Sequence, residues 1–527
     1  MVARGAPACD RLRPSLRPKT ALYPKTPTVK IPSLLSRFFV LGVTTALSAF
    51  AASPRPASPP PPVEVAPNII VVLADDIGWG DAGCYGATQI ATPNIDRLAR
   101  EGRRFDQGYS SAAVCTPTRY SLLTGSYAWR SDKVGVNRGV ANGASPLLIP
   151  TDQPTAPGLL RQAGYRTAII GKWHLGFGLT KPDYNQELRP GPLEVGFDEF
   201  FGIPATNDRI PTMLVRNHRV EGLDPADPVS YTYDKAEAEA AGMSPWAAGR
   251  NRIGWAKGGK AAWWKDTELA DIHTRESIAF IERNRANRFF LYYAPHNVHA
   301  PKVPGPRFKG RSGLGDRADL LLEFDASLGA LLQSLDTLGL AENTLVIYSS
   351  DNGAYINEEQ GHRPTGPFRG IKSGLWEGGS RVPFIVRWPA RISPGESVDL
   401  VSTLDIPATI CAAAGVTPPA EAFADSFDFL PPLLGRTDAP KRDSLILQDG
   451  NGRLALRSGR WKYIPDLDTA DGWKSARKAA DTPARPGLFD LSADPGEKQN
   501  LFALRPAEAQ RLAEQLATAQ ASPRTRL

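Results

Sequence analysis

The chain has little cysteine for its length. Its four cysteines, Cys9, Cys84, Cys115 and Cys411, are scattered over 527 residues, and no Cys-x-x-Cys pair or zinc-ligand spacing occurs. This pattern excludes a disulfide-built scaffold and a structural zinc site. We interpret Cys84 and Cys411 as small buried hydrophobic residues.

The chain also lacks an excess of positive charge beyond its first 37 residues. Its formal net charge is +7, a value that would suit a nucleic-acid partner. Residues 1–37, however, carry eight Lys and Arg side chains against one Asp, which accounts for the whole excess. The remaining chain is electrically balanced, so we expect no nucleic-acid partner.

The most apolar N-terminal stretch, Phe38–Leu47, is too short for a comfortable transmembrane span. It follows the basic segment and precedes Ala49-Phe50-Ala51, which has the spacing of a signal peptidase site. These features predict a signal peptide over residues 1–51, with no stable membrane anchor, and export to the periplasm or the extracellular space. An uncleaved signal anchor is the alternative. Residues 52–66, rich in Pro and Ala, predict a flexible spacer that includes no motif.

Continuous apolar runs rich in β-branched or aromatic residues predict strands that are buried on both faces. Four such runs occur at 68–74, 167–171, 289–294 and 344–350. Helical stretches at 274–284 and 319–338 lie between them, and Thr92 is placed to cap a further helix that begins at Pro93. The alternation predicts an α/β domain with helices covering a sheet.

From about residue 441 the pattern changes to short strands separated by turns. We expect these strands at 444–448, 454–457, 461–464 and 488–495, with a terminal helix over 506–520. The change divides the chain into a large catalytic domain, 67–440, and a C-terminal subdomain, 441–527, built on a small antiparallel sheet.

Polar residues follow each of the four strands predicted in the large domain. They are Asp75 and Asp76, Lys172 and His174, His296 and His299, and Asp351 and Asn352. Ligands of open α/β sheets bind beyond the carboxyl ends of the strands, so these side chains should meet at one edge. The three carboxylates and the amide oxygen would form a hard oxygen site, which suits Ca²⁺ or Mg²⁺ and not zinc.

One cysteine lies in an unusual setting. The segment Cys115-Thr116-Pro117-Thr118-Arg119 follows a run of small residues and precedes Leu122-Leu123-Thr124-Gly125. This Cys-x-Pro-x-Arg pattern resembles the signature of the type I sulfatases, the formylglycine-dependent arylsulfatases and N-acetylgalactosamine-sulfatase-like enzymes of the alkaline phosphatase superfamily. In that family the cysteine is oxidised to formylglycine, an aldehyde whose hydrate attacks sulfur. The resemblance implies that Cys115 is not a thiol in the working enzyme.

The resemblance covers the chain from about residue 67 to the C-terminus. Segments similar to those of the family occur in the same order at 171–176, 294–301, 350–353 and 370–383. The fold that this implies is alkaline-phosphatase-like: a central mixed sheet sandwiched by helices, with a small C-terminal antiparallel-sheet subdomain.

The resemblance also implies the metal site and its nucleophile. Ca²⁺, with Mg²⁺ as the alternative, would be held by Asp75, Asp76, Asp351 and Asn352 together with residue 115. Placing residue 115 at the start of a helix would direct backbone N–H groups and the positive end of the helix dipole at the developing charge. Arg119, one turn further on, would reach the hydrate.

Four further residues would carry the catalysis. Lys172 and Lys372 would bind the sulfate oxygens. His299 would bind substrate and protonate the leaving alcohol, and we prefer it to His296 because its His-x-Pro sequence fits the family loop better. His174 would deprotonate the hydrate so that sulfate leaves. Asn207 and Arg209 are predicted to bind substrate in the same pocket.

The function implied is hydrolysis of a sulfate monoester, on a sulfated carbohydrate such as a galactose or N-acetylgalactosamine sulfate. The modification requires a formylglycine-generating or sulfatase-maturating enzyme as a partner. One alternative is a phosphonate or phosphodiester hydrolase of the same superfamily. The other is an inactive glycan-binding homologue in which Cys115 stays unmodified.

Overall fold

The structure of the protein is a computed structural model, and it describes residues 66–245, 252–436, 440–475 and 483–526. The predicted signal peptide, Cys9 and the predicted spacer up to residue 65 lie outside the described residues. In the part of the chain that is described, no helix is both long enough and apolar enough to cross a membrane.

The described residues form seventeen strands and ten α-helices. The strands are β1 (Asn68–Ala74), β2 (Arg103–Tyr109), β3 (Arg166–Lys172), β4 (Glu199–Ile203), β5 (Val215–Arg216), β6 (Arg219–Val220), β7 (Ser230–Thr232), β8 (Ser244–Pro245), β9 (Trp255–Lys257), β10 (Phe289–Ala294), β11 (Thr344–Ser350), β12 (Ile385–Arg387), β13 (Gly395–Ser402), β14 (Ser444–Gln448), β15 (Leu454–Ser458), β16 (Trp461–Ile464) and β17 (Gly487–Asp490). The helices are α1 (Pro93–Glu101), α2 (Cys115–Thr124), α3 (Ala156–Gln162), α4 (Lys235–Ala240), α5 (Leu269–Arg283), α6 (Asp316–Thr337), α7 (Glu377–Ser380), α8 (Ile406–Ala413), α9 (Leu430–Leu433) and α10 (Pro506–Ala521).

A ten-stranded mixed sheet forms the centre of the large domain. Its strand order is β13-β2-β12-β11-β1-β10-β3-β4-β5-β6. The five strands from β11 to β4 are parallel, whereas β12 pairs antiparallel with both β11 and β2. The four predicted strands are confirmed, and three of them have the predicted bounds.

The central strands are buried on both faces, as their continuous apolar sequences predicted. Along β1, Ile69, Val71 and Leu73 pack into one hydrophobic core. The alternate residues, Ile70 and Val72, pack into the core on the opposite face. Side chains of a strand alternate between faces, so a strand between two helical layers needs apolar residues at every position.

Helices α1 and α10 begin at the predicted residues, Pro93 and Pro506, whereas two others begin earlier than the sequence indicated. Helix α5 starts at Leu269 instead of 274, and α6 starts at Asp316 instead of 319. The predicted cap of α1 is wrong: the Thr92 hydroxyl accepts from Gly83 N at 2.8 Å and makes no capping bond. Asp325 of α6 accepts instead from Asn94 N and Ile95 N, because α6 packs beside the start of α1.

The C-terminal residues form the predicted antiparallel sheet. Its order is β14-β15-β16-β17, and α10 packs on it through Leu512 and Leu516. The same hydrophobic cluster includes Tyr109 and Tyr127 of the large domain, so the small sheet shares a core with it. This contact brings the loops of the C-terminal subdomain to the edge of the large sheet where the polar residues lie.

Candidate active site

The predicted polar residues meet at one edge of the large sheet. Strands β11, β1, β10 and β3 are adjacent and parallel, and β1 and β11 pair in register up to Ala74 and Ser350. Asp75 and Asp351 therefore leave the sheet side by side, with Asp351 N donating to Ala74 O at 3.0 Å. The polar side chains that follow these four strands are all buried. The structure brings together the groups that the sequence placed hundreds of residues apart.

Each of the three carboxylates is paired with a cation. Asp75 Oδ2 lies 2.7 Å from Lys172 Nζ, and Asp351 Oδ2 lies 2.7 Å from Arg119 Nη2. The third carboxylate, Asp76, accepts from Lys372 Nζ and, at 2.7 Å, from Asn352 Nδ2. Three negative and three positive side chains thus balance one another in a buried site, which limits the cost of desolvating them.

The oxygen atoms of this cluster fit a hard divalent cation. Asp75 Oδ1 and Asn352 Oδ1 are buried and have no hydrogen-bond partner among the described residues, a costly condition that a bound cation would relieve. Ligand atoms of Asp75, Asp76 and His299 lie within 4.8 Å of one another. The sequence predicted the two aspartates as ligands but not His299.

The carboxyl pKa values differ within the cluster. Burial, and then the charge of Asp351, raise the pKa of Asp75 above its usual range. Burial acts in the same direction on Asp76, but Lys372 outweighs it and holds the pKa of Asp76 far below normal. The pKa of Asp351 is likewise lowered by Arg119 and Lys172 against the effect of burial. A divalent cation beside Asp75 would favour its charged form.

Cys115 is the first residue of α2, as predicted. It follows Val114, whose backbone is extended, and its side chain is buried. Burial raises the pKa of the thiol, even though Lys172 and Lys372 oppose the shift. A protonated, buried thiol is a poor nucleophile. The environment therefore favours a chemical role that does not depend on a thiolate.

Arg119 lies on the same helix and is completely buried. Its guanidinium donates to Asp351 Oδ2, to Lys172 O and to Tyr292 Oη. The hydrogen bonds of Arg119 therefore go to a predicted metal ligand and to the end of β3. The predicted contact of Arg119 with the modified residue 115 stays a prediction.

The His174 side chain has one free nitrogen. Its Nε2 lies 2.9 Å from the carbonyl of Ala141, so Nε2 carries the proton, while Nδ1 is buried and has no hydrogen-bond partner in the part of the chain that the structure describes. Burial first, and then the charge of Lys172, lower the pKa of His174 well below its usual value. The neutral imidazole leaves Nδ1 as the atom that would accept a proton in the predicted role, and the lowered pKa makes this nitrogen a weaker base than an ordinary histidine.

His299 is oriented by its neighbours. Its Nδ1 lies 2.7 Å from Ala300 O and 3.2 Å from Asn207 Oδ1, so Nδ1 donates and Nε2 is left for a ligand. Asn207 is buried and also donates to His299 O. Of the two predicted substrate-binding residues, Arg209 lines the cavity described below, whereas Asn207 supports His299.

His296 lies apart from this cavity. It packs edge-on against His273, and burial lowers its pKa to about 3. His299, and not His296, lines the cavity with Cys115, which agrees with the preference for His299.

A cavity of about 390 Å³ opens over Cys115. Its wall includes Asp76, His299 and Lys372, and also residues that sequence reasoning missed: Asp208, Lys302, Arg317, Tyr355, Trp473 and Lys474. No motif marks them, since they come from loops, from the first turn of α6 and from a turn of the C-terminal subdomain. Among these residues, Arg317 binds Asp81, five residues beyond Asp76.

Comparison with known proteins gives the family. The sulfatase family model matches residues 67–416, which is more than half of the chain. The chain belongs to the sulfatase family. Its relatives with assigned activities are sulfuric ester hydrolases. This sulfatase is therefore also a sulfuric ester hydrolase. The predictions of family and fold class are confirmed.

Three relatives of this sulfatase show how far the similarity extends. An N-acetylgalactosamine-6-O-sulfatase of Bacteroides thetaiotaomicron is 41% identical over 478 residues, which cover 85% of this chain and 92% of the relative. Arylsulfatase A of Homo sapiens is 34% identical over 447 residues, covering 83% of both chains. A solved Bacteroides thetaiotaomicron structure, concerned with the metabolism of multiple glycosaminoglycans, superposes with a TM-score of 0.80 at 40% identity and covers 86% of this chain and 99% of its own.

Proposed function

We propose that this sulfatase hydrolyses a sulfate monoester of a sulfated carbohydrate, with residue 115 as formylglycine and a divalent cation beside it. The observation that carries the proposal is the shared cavity: Cys115, at the N-terminus of α2, lines it together with Lys372 and His299. The relative with 41% identity is named for an N-acetylgalactosamine 6-sulfate substrate. We therefore take N-acetylgalactosamine 6-sulfate as the first substrate to test.

The cation is proposed to be Ca²⁺, with Mg²⁺ as the alternative. It would be held by Asp75, Asp76, Asp351 and Asn352 with residue 115, an oxygen-rich set that includes the two unpartnered buried oxygens. Hydrated formylglycine would supply an oxygen nucleophile for sulfur and an internal route for sulfate release, and the cation would supply Lewis acidity.

The protein's own charges favour a bound sulfate group. The three carboxylates are already balanced by Lys172, Lys372 and Arg119. A divalent cation would therefore leave the site with net positive charge, which attracts an anionic ester and offsets the charge that develops on it during cleavage. Lys372 lines the cavity and would bind a sulfate oxygen. Lys172 is proposed for the same role, and its Nζ donates to Asp75 Oδ2 at 2.7 Å.

Two histidines would move protons. His174 would accept a proton at Nδ1, because its Nε2 is committed to Ala141 O. His299 would give the leaving alcohol a proton from Nε2, which requires the imidazolium form, because the Nδ1 proton is already donated to Ala300 O. The hydrogen bonds to the carbonyls fix which nitrogen of each ring is available.

The modification of Cys115 is the first test. In protein purified from its native host, the tryptic peptide with residue 115 should be about 18 Da lighter than the cysteine form. Cys115→Ala should abolish sulfate release, whereas Cys411→Ala, a buried cysteine outside the cavity, should retain it. An unmodified thiol in an inactive protein would instead support the inactive glycan-binding homologue.

Parallel assays separate the alternatives within the superfamily. We expect sulfate release from an aryl sulfate and from N-acetylgalactosamine 6-sulfate to exceed turnover of the matching phosphate monoester and phosphonate at least about tenfold, because the relatives of this chain are named as sulfatases. Faster phosphonate turnover would favour the phosphonate or phosphodiester hydrolase.

Export and maturation complete the proposal. We propose that residues 1–51 direct export to the periplasm or the extracellular space, and that a formylglycine-generating or sulfatase-maturating enzyme modifies Cys115. Fractionation of cells that produce the full chain or a chain without residues 1–51 tests the first point. Both forms staying in the cytoplasm would contradict it.

A further inference from the structure

Exposed hydrophobic side chains gather at the mouth of the cavity that contains Cys115. In the described part of the chain, three of the seven large hydrophobic residues that stand out as exposed line this cavity: Ile253, Tyr355 and Trp473. Trp473 is 48% exposed. Single exposed hydrophobic residues are common on protein surfaces, but a cluster of them at the mouth of a cavity indicates a binding surface.

The Trp473 indole is fixed in place by the cavity wall. Its Nε1 donates to Gly450 O at 3.0 Å, and its backbone N donates to Ser373 Oγ at 3.3 Å. Gly450 has no room for a side chain, since a Cβ there would lie 2.6 Å from the indole. Ser373 directly follows Lys372, which lies in the same wall.

The turn that carries Trp473 is hydrogen-bonded to the loop that contains Lys372. Leu375 N donates to Ala470 O at 2.7 Å, and Trp376 Nε1 donates to Asp471 Oδ1 at 2.7 Å. At Gly472, whose φ is +61°, a Cβ would lie 1.8 Å from Ser373 O, so only glycine allows this approach. The loop that contains Lys372, at 370–376, and the turn of the C-terminal subdomain thus form one wall of the cavity.

We propose that Trp473 is the platform on which the sugar ring of the substrate stacks. This inference rests on the proposed hydrolysis of a carbohydrate sulfate. A pyranose ring has an apolar C–H face that packs against an aromatic face, and the indole loses little conformational freedom on binding because it is already fixed. Its anchoring next to Lys372 sets the ring at a constant position relative to the sulfate-binding lysine.

The test compares Trp473→Ala and Trp473→Phe with the wild type on N-acetylgalactosamine 6-sulfate, with sulfate release measured by ion chromatography. For Trp473→Ala we expect KM to rise about 10- to 100-fold while kcat changes less than about threefold, because the ring contact is made in the ground state and the transition state alike. Trp473→Phe, which keeps an aromatic face, should lose less than Trp473→Ala.

Two controls separate a lost platform from a damaged site. The inhibition constant of inorganic sulfate, which has no ring to stack, should stay within about twofold of the wild type in both variants. Leu504→Ala removes an exposed hydrophobic side chain outside the cavity and should leave KM unchanged.

The outcomes are distinct. If the wild type cleaves the sugar sulfate and Trp473→Ala has an unchanged KM, the platform is overturned and the proposed function stands. An equal loss of sulfate binding in Trp473→Ala and Trp473→Phe would also overturn it, since the residue would then only support the loop. If the wild type cleaves an aryl sulfate but no sugar sulfate, the carbohydrate proposal fails and the platform with it.

Discussion

Arg119 donates from Nε and from Nη2 to one oxygen of Asp351, Oδ2, at 3.0 and 2.7 Å. Both side chains are completely buried. The other oxygen, Oδ1, accepts only a long bond of 3.4 Å, from Asp76 N, among the described residues. The planar guanidinium therefore fixes the rotation of the carboxylate and leaves Oδ1 for a cation. Arg119 is a positioning residue for a proposed metal ligand.

Arg119→Lys should weaken cation binding. A lysine keeps the charge but cannot make the forked contact with Asp351, and loss of such a supporting contact costs about 10- to 100-fold in metal affinity. Activity measured against added Ca²⁺, after removal of bound cations with a chelator, gives the affinity. The matched control is Arg130→Lys: Arg130 also donates from Nε and Nη2 to one carboxylate, with one bond to each oxygen of Asp425 at 2.8 and 2.9 Å, outside the site. Equal Ca²⁺ affinity in Arg119→Lys and the wild type would refute the assigned role.

Removing divalent cations should lower the melting temperature. A ligand that binds only the folded protein stabilises it by about 4 kcal/mol when it is present at 1,000 times its Kd. We expect Ca²⁺ to raise the Tm of chelator-treated wild type by several degrees. In Asn352→Ala, which lacks one of the unpartnered oxygens, the rise should be less than half as large. A Tm that does not respond to Ca²⁺ or Mg²⁺ would argue against a resident cation.

The sheet and the buried end of the site could be predicted from the sequence because they depend on local patterns. Strands β1, β10 and β11 are nearly continuous apolar runs. A strand of this composition is stable when both of its faces are buried, as they are between two helical layers. The polar residues follow these runs directly. Because β1 and β11 are parallel neighbours, the residues that follow them, Asp75 and Asp351, must lie side by side.

The open end of the cavity could not be predicted in this way. Trp473 and Lys474 reach it only because the small C-terminal sheet packs on the large domain through Tyr109 and Tyr127. Packing between distant elements also explains why Asp325, and not Thr92, accepts from the first amides of α1: Asn94 and Asp325 are 231 residues apart in sequence. Such contacts depend on how whole elements pack, which residue types and spacings do not reveal.

Acid should destabilise the protein in part through His273. This residue of α5 is buried, and neither ring nitrogen is hydrogen-bonded to any residue that the structure describes. Burial lowers its pKa to about 3 from 6.5. The unfolded chain takes up a proton below pH 6.5 while the folded protein does not, so stability is full above pH 6.5 and falls as the pH decreases. At pH 5 the loss from this one group is about 2 kcal/mol.

Replacement of His273 by Phe should therefore reduce the fall in Tm between pH 8 and pH 5. The ring already packs edge-on against Phe201 and His296, which a phenyl ring can also do. Comparing the variant with the wild type at both pH values removes any constant packing effect, because only the difference between the two pH values reports the titration. An unchanged pH dependence of the Tm would mean that His273 is not the group responsible.

Substrate binding should depend on salt through two lysines at the cavity mouth. Lys302 and Lys474 line the cavity, and neither forms an ion pair with any residue that the structure describes. Burial lowers the pKa of Lys302, although Glu359 opposes the shift. An anionic saccharide gains from these charges at low ionic strength and loses the gain as salt screens them, so the KM should rise between about 50 and 500 mM salt.

The double variant Lys302→Ala/Lys474→Ala should raise the KM for N-acetylgalactosamine 6-sulfate about three- to tenfold at low salt and make it nearly independent of salt. The matched control is Lys265→Ala, because Lys265 is an exposed lysine paired with Glu268 and does not line the cavity. It should preserve both the KM and its salt dependence. If the double variant keeps the salt dependence of the wild type, the attraction comes from the buried cluster around Lys372, which both proteins share, and the mouth lysines do not guide the substrate.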